Sequence, residues 1–368
     1  AYMTRLTEEL LKRHMAAGGH ALLMSATLGA WARTRLLNTA GRGPAEPPSL
    51  QEAIEVPYPS IIHQPMGGRS GVVAVGTAGN PSKVTVATRP WIDSPADVAR
   101  RAVEAAAQGA RVLVLRNTVT DCVATQLEVE ALAGPDSPLP MRCKDRPAPH
   151  HSRYAREDRQ ALDASIEADF GKSASRDGGR IAVATQTVQQ SLDLDADLML
   201  TDLCPMDVLL QRVGRLHRHE RPDRAVGFEQ PLVEVLVPQE RDLSGLLWTD
   251  GTVHGSHGIG RVYVDLLVLE ATWRLVIERG VLEVPAASRA LVELTTHPEA
   301  LRAIGLELGG AWLRHWERVR GRRAAHGAQA DIGVIRWKMP FYELPPFEDL
   351  SDFAKTRLTE EGDRIVRF

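Results

Sequence analysis

Hydrophobic and polar positions follow two rhythms along this chain. Between Lys83 and Val237 short apolar runs alternate with longer stretches of helical period. Val84, Val86 and Thr88 alternate as a strand. Residues 111–115 (RVLVL) form an unbroken apolar run, the pattern of a strand buried on both faces. Ile181–Ala184, Leu198–Leu200 and Val233–Val237 read the same way. Helices are expected at 95–108, 119–132, 154–170 and 205–218. Ser94 is placed to cap the first of these, Pro95 to open it and Gly109 to end it. Strand and helix in alternation specify an α/β fold with a parallel sheet and helices on both faces.

The flanks differ. Residues 1–30 read as a helix (Leu6, Leu10, Leu11) and then a short strand, His20–Met24, ended by Ser25-Ala26-Thr27. Residues 38–49 are a Gly/Pro-rich loop, and Pro57, Pro59 and Pro65 break up 51–82. After Pro238 come a Gly/His-rich loop (239–261), helices at 262–279 and 300–320, and a tail of strands and loops over 331–368. Three units result: 1–82, 83–238 and 239–368. The chain opens inside a helix without a cap, so an upstream segment is expected to have been cut away.

Composition narrows the class. Of 368 residues 43% are hydrophobic and 25% charged, enough apolar surface for sizeable cores and too much for a disordered chain. Net charge is −3, so any binding of nucleic acid must use a local basic groove. Three separated cysteines, Cys122, Cys143 and Cys204, suit neither a disulfide framework nor a zinc site and fit a reducing cytoplasm. No apolar run approaches a membrane span, and no signal peptide is expected.

The chemistry concentrates in Gln211-Arg-Val-Gly-Arg-Leu-His-Arg218. On a continuous helix Gln211, Arg215 and Arg218 share one face, and Leu209, Val213 and Leu216 share the other. Guanidinium forks bind phosphate oxygens bidentately and can stabilise charge on a transferring phosphoryl group. The plain alternative is a solvated basic face. Upstream, Thr185 and Gln186 follow a buried strand, where open α/β sheets place ligand loops. They are placed to bond a nucleic-acid phosphate, and Asp193 to bond a ribose hydroxyl or hold an arginine. His217 and His219 lie two apart with no Cys or carboxylate set at zinc spacing, so no metal is expected there. His254 and His257 are expected in solvent. Trp312 and Trp316, among Arg314, Arg318, Arg320, Arg322 and Arg323, suit base stacking or, better, an amphipathic helix.

These segments resemble superfamily 2 helicases. Residues 184–219 (ATQTVQQSLDLDADLMLTDLCPMDVLLQRVGRLHRH) resemble motifs V and VI, Ser25-Ala26-Thr27 motif III, and the run from Val112 to Thr118 motif IV. Within that superfamily the chain is similar to the CRISPR-associated helicase–nuclease of type I interference systems. APHHSRYAREDRQALD (148–163), YVDLLVLEATWRLV (263–276), PAASRALVE (285–293) and TRL (356–358) carry that likeness. The resemblance implies two RecA-like domains with ATP between them. Here it implies the end of the first (1–82), all of the second (83–238) and a mainly helical C-terminal domain (239–368). It implies Arg215 and Arg218 as arginine fingers and Gln211 as a phosphate or water positioner. Asp193 is assigned to the nucleotide, and Asn117, Thr118, His151, Arg153, Thr185 and Gln186 to single-stranded DNA. Ser25, Ala26 and Thr27 are assigned to coupling.

The sequence departs from the full pattern. It has no G-x-x-x-x-G-K-[ST] loop and no D-E-x-H, and Gly171-Lys172-Ser173 lacks the earlier glycine (Ile166 stands there). ATP and Mg²⁺ are therefore expected in the complete enzyme and in neither case held by this chain alone. Implied partners are single-stranded DNA, an RNA-guided surveillance complex and the absent N-terminal helicase half, with no membrane. The alternatives are a helicase of another superfamily 2 branch and a binding module without turnover.

Overall fold

The structure, a computed structural model, describes residues 2–39, 46–65, 68–76, 82–189 and 192–332. The tail expected over 331–368, including Thr356-Arg357-Leu358, lies outside the described residues beyond Ile332, as does part of the loop at 38–49. In chain order the first elements are α1 (Tyr2–Ala16), α2 (Ala30–Leu37), α3 (Leu50–Glu55), β1 (Ser60–His63) and β2 (Gly71–Ala74). Next come β3 (Ser82–Arg89), α4 (Pro95–Ala107), β4 (Arg111–Leu115), α5 (Val119–Ala133), β5 (Arg142–Cys143), β6 (Arg146–Pro147) and α6 (Arg156–Phe170). Then follow β7 (Arg180–Ala184), β8 (Leu198–Asp202), α7 (Met206–Val213) and β9 (Leu232–Leu236). The chain closes with α8 (Leu266–Arg279), β10 (Val281–Val284), α9 (Ser288–Thr296), α10 (Pro298–Leu308) and α11 (Gly310–Ile332).

The main sheet has the order β10-β3-β9-β8-β4-β7. The strands from β3 to β7 pair parallel, with Val112 opposite both Ile181 and Leu198. β4 and β8 are buried at every residue, which is what an unbroken apolar run requires of a strand covered on both faces. α4 packs through Val98, Ala99, Ala102, Ala105 and Ala106, with Ser94 accepting from the Asp97 N–H at its start. Small residues let this helix sit close. A Cβ at Gly179 would lie 1.9 Å from the Ala106 carbonyl oxygen.

Several elements correct the sequence reading. Ala21–Met24 form no strand, and Leu22 and Met24 are 81% and 87% exposed. A short apolar run becomes a strand only where a neighbouring strand takes its hydrogen bonds, and among the described residues none pairs with it. β10, from beyond residue 239, adds to the sheet antiparallel to β3. The helix expected over 300–320 is two helices, broken where Gly309 and Gly310 take φ of 65° and 45°. Trp312 and Trp316 are buried, and the Trp312 indole donates to Ser244 Oγ at 2.9 Å, so both belong to the core.

The N-terminal segment rests on the C-terminal helices. Arg5 Nε donates to Asp331 Oδ1 at 2.6 Å, and the Leu50 N–H to Glu299 Oε2 at 3.1 Å. The Ala30 N–H donates to the buried Glu293 carboxylate at 2.7 Å. Among the described residues no helix is long and apolar enough to cross a membrane.

Candidate functional site

The parallel strands from β3 to β7 end along one edge of the sheet. Asn117, Thr118, Thr185 and Gln186 follow β4 and β7 on that carboxyl edge. α7 starts at the same edge and runs back. Arg215 and Arg218 therefore lie toward the amino edge, where Leu216 bridges Ala196 just ahead of β8.

The helix-face premise for motif VI needs correction. α7 stops at Val213, Gly214 caps it, and His217 adopts φ 46°. Gln211 therefore lies on α7, while Arg215 and Arg218 lie on the turn that follows it, so helical spacing does not set their common face. Gln211 Nε2 donates to Thr27 Oγ1 at 3.1 Å, joining α7 to the Ser25-Ala26-Thr27 segment. The Ala26 carbonyl accepts from Tyr58 Oη at 2.9 Å, and the Thr27 N–H donates to Ser25 Oγ. Arg215 donates to the carbonyls of Leu192 (2.5 Å) and Gln189 (2.7 Å), fastening the loop after β7. Burial first, then the Arg218 charge, draw the Arg215 pKa down. Arg218 Nε meets Asp193 Oδ1 at 2.6 Å, and His219 Nε2 lies 3.1 Å from both Asp193 oxygens.

Beneath this turn lies an ion cluster that the sequence reading missed. Asp195 and Asp197 are fully buried. Arg176 donates to both Asp197 oxygens at 2.6 Å, and Arg224 joins Asp197 (2.8 Å) to Asp195 (3.0 Å). Arg221 Nε reaches Asp195 Oδ2 at 2.5 Å. Asp195 also accepts the Arg218 N–H at 2.9 Å, so the cluster fixes the backbone that carries Arg218. Burial works to raise the Asp195 pKa, but Arg224, Arg221 and Arg176 outweigh it and hold the carboxyl below its usual range. The signal was present: Asp193, Asp195 and Asp197 alternate, which aligns them on one side of an extended segment.

The carboxyl edge is a closed hydrogen-bond network. Asn117 is 2% exposed. Its Nδ2 donates to the Leu203 carbonyl (2.9 Å), and its Oδ1 accepts from Arg212 Nη2 (3.1 Å). Both ends of the Asn117 side-chain amide are thus engaged within the protein. Gln186 Nε2 donates to the Asn117 carbonyl at 2.8 Å. Thr118 caps α5 and donates to Asp121 Oδ2 at 2.5 Å. Thr185 is 3% exposed. Arg212 is buried and also bonds Thr201 Oγ1 (2.5 Å) and Tyr263 Oη (3.1 Å). Beneath it the buried Arg116 guanidinium lies 2.9 Å from Asp202.

Beside β7, the His150 N–H donates to the Val183 carbonyl at 2.8 Å, which adds a short edge to the sheet. The buried His150 ring bridges Thr187 Oγ1 (2.8 Å) and Asp163 Oδ1 (2.7 Å). Burial lowers its pKa despite Asp163. His151 is nine-tenths buried and stacks on Tyr154 with ring centroids 4.4 Å apart. Arg153 is exposed, the one such side chain among the six assigned to DNA. His257, expected in solvent, is instead half-buried against Asp121 at 2.9 Å. Among the described residues no three His, Cys, Asp or Glu side chains are placed to share a metal ion.

Comparison with known proteins follows this geometry. The family model for the CRISPR-associated nuclease/helicase Cas3, C-terminal, matches residues 108–221. The CRISPR-associated endonuclease/helicase Cas3 of Escherichia coli K12 is 31% identical over 278 residues, 74% of this chain and 28% of that protein. The crystal structure of T. fusca Cas3-ADP matches with a TM-score of 0.68 at 25% identity, over 91% of this chain and 37% of that one. A chain in the structure of a CRISPR RNA-guided surveillance complex, pre-nicking, matches with a TM-score of 0.69 at 25% identity, over 91% of this chain and 39% of that one. The chain thus spans well under half the length of each of these relatives.

Proposed function

We propose, for a chain that belongs to the CRISPR-associated Cas3 helicase/nuclease family and matches its C-terminal part, that it supplies the second RecA-like half of an ATP-driven translocase on single-stranded DNA. In this reading residues 1–82 close the first RecA-like domain, 83–238 form the second, and 239–368 form the C-terminal domain. The observation that supports it is the turn after α7, where Arg215 fastens the loop after β7 and Arg218 pairs with Asp193, while Gln211 on α7 bonds Thr27.

Each residue has a role. Arg218 is the finger that meets the phosphoryl charge. Arg215 holds the loop that carries Asp193, and adds positive charge behind it. Gln211 links the finger turn to Ser25, Ala26 and Thr27. Arg153, Thr118 and Gln186, with His151 supporting Arg153, face the DNA backbone, and the buried Thr185 sits behind them. Asn117 organises that edge from beneath.

The residues present fit only part of ATP and Mg²⁺. The Arg218 guanidinium suits a phosphate oxygen, with Arg215 charge behind it, and the sequence carries no G-x-x-x-x-G-K-[ST] loop to cradle the phosphates. In this reading a first RecA-like domain supplies the phosphate cradle and the metal ligands, and the chain by itself is expected not to hydrolyse ATP. Exposed apolar residues on the N-terminal segment, Leu22, Met24, Ile61, Val72 and Val73, favour packing against such a domain. The same surface favours a second reading, a module that binds a surveillance complex without turnover.

The test is binding of this chain to fluorescein-labelled oligodeoxynucleotides across a salt series. Affinity is expected to be insensitive to sequence and to fall linearly in log–log form. Arg153→Ala is expected to reduce the slope by about 0.7, the share of one single-strand phosphate. No binding at low salt rejects the reading.

A further inference from the structure

The Gly/His-rich loop between α7's sheet and α8 has no role in the function described so far, yet it is built onto the carboxyl edge. Gly258 adopts φ +80°, and a Cβ there would lie 2.4 Å from Asn117 Cβ. No other residue fits that approach. The preceding carbonyl, of His257, accepts from Asn117 Nδ2 at 3.4 Å. The His257 ring is turned onto Asp121 Oδ1 at 2.9 Å, and its backbone takes φ 49°, a conformation a non-glycine residue holds only where its surroundings compensate. At the far end of the loop, Tyr263 bonds the buried Arg212. One loop therefore grips the strand-end residue after β4, the start of α5 and the end of α7.

We propose that the loop Gly251–Tyr263 is a positioning clamp for the nucleic-acid edge, holding Asn117 and, through it, Gln186 and Arg212. The proposal rests on the reading of the carboxyl edge as the DNA side. His257 and Gly258 are positioning residues that touch no substrate. Their effect passes through the Asn117 carbonyl, which sets Gln186, and through Asp121, which sets Thr118.

The clamp has a titratable latch. The hydrogen bond that the His257 ring donates to Asp121 raises the His257 pKa, against burial. Asp121 and Asp202 face the ring as negative charges and Arg116 as a positive one. A raised histidine pKa gives stabilisation that is complete below the ordinary value of about 6.5 and is lost as pH rises through the raised value.

The test uses the full chain with His257→Ala and His257→Gln. Two quantities are measured: amide hydrogen exchange over 116–118 and 185–187, and affinity for a fluorescein-labelled 20-mer of deoxythymidine. His257→Ala is expected to speed exchange and weaken affinity, each about fivefold, the worth of one net hydrogen bond. His257→Gln, which keeps a donor, is expected to restore both. Wild-type affinity is expected to weaken as pH rises past the latch titration, and His257→Gln to lack that step. Unchanged exchange in His257→Ala overturns the clamp. Faster exchange with unchanged affinity overturns its role in positioning DNA. A wild-type chain that does not bind the 20-mer refutes the DNA reading and with it that role, while the exchange result still decides whether the clamp exists. Gly258→Ala, which drives a Cβ into Asn117, is expected to give the larger version of both losses.

Discussion

Arg218 Nε lies 2.6 Å from Asp193 Oδ1, so the guanidinium proposed to meet a phosphoryl group is already held by a carboxylate of its own domain. The two side chains are 41% and 47% exposed. Such a solvated pair contributes at most about 1 kcal/mol, which leaves it easily displaced by the denser charge of a polyphosphate. Arg218→Ala is therefore expected to shift urea-unfolding stability by less than about 1 kcal/mol. In a motor assembled with a first domain in trans, the same change is expected to cut DNA-stimulated phosphate release by about 10³-fold. A large stability loss with intact hydrolysis would show that Arg218 is structural.

Arg212 makes the opposite case. It is fully buried and donates to Thr201, Asn117 and Tyr263. Arg212→Ala strands those acceptors and is expected to destabilise the chain in urea unfolding by about 1–3 kcal/mol for each buried group left unsatisfied. Arg212→Lys is expected to recover little, because an ammonium cannot reproduce the planar fork. Near wild-type stability in either variant contradicts the network.

Acid should release the Asp195–Asp197 cluster. The arginines hold the Asp195 pKa below its ordinary value, so its stabilisation is present above about pH 4 and is lost as pH falls through the depressed value. Asp195→Asn is expected to be less stable at neutral pH and to show a flatter acid limb. Thermal unfolding between pH 2 and 7 checks both. An unaltered acid limb would place the titrating carboxylate elsewhere.

His217 acts in the same direction over a higher window. Burial pushes its pKa down to about 4. The unfolded chain binds the proton first, so stability is complete above about pH 6.5 and declines as pH falls toward the lowered value. His217→Gln is expected to remove that decline. A nuclear magnetic resonance titration of the ring above pH 6 would contradict the buried placement.

The sheet was legible because its signal is local. Residues 111–115 and 198–200 are unbroken apolar runs, and Ser94-Pro95 is a capping pair that acts within a few residues. The segment from Gln211 to Arg218 was legible as a cluster of phosphate-suited side chains but not as geometry. Arg215 and Arg218 match a helical spacing, yet Gly214 ends the helix, and the turn that follows is held by Asp195 and by the carbonyls of Gln189 and Leu192. Those partners lie more than twenty residues away, beyond any periodicity. Asn117 shows the same limit. A polar residue after a buried strand suggests a ligand contact, but its partners Arg212 and His257 arrive only through tertiary folding. Ala21–Met24 failed for a related reason, since a strand depends on a neighbour that no local pattern reveals.

The most direct test is phosphate release by the pure chain in the presence of ATP, Mg²⁺ and single-stranded DNA. No release above background is expected, with activity emerging once a first RecA-like domain is supplied. Release by the pure chain that Arg218→Ala abolishes would contradict the assignment of this chain as the arginine-bearing half alone.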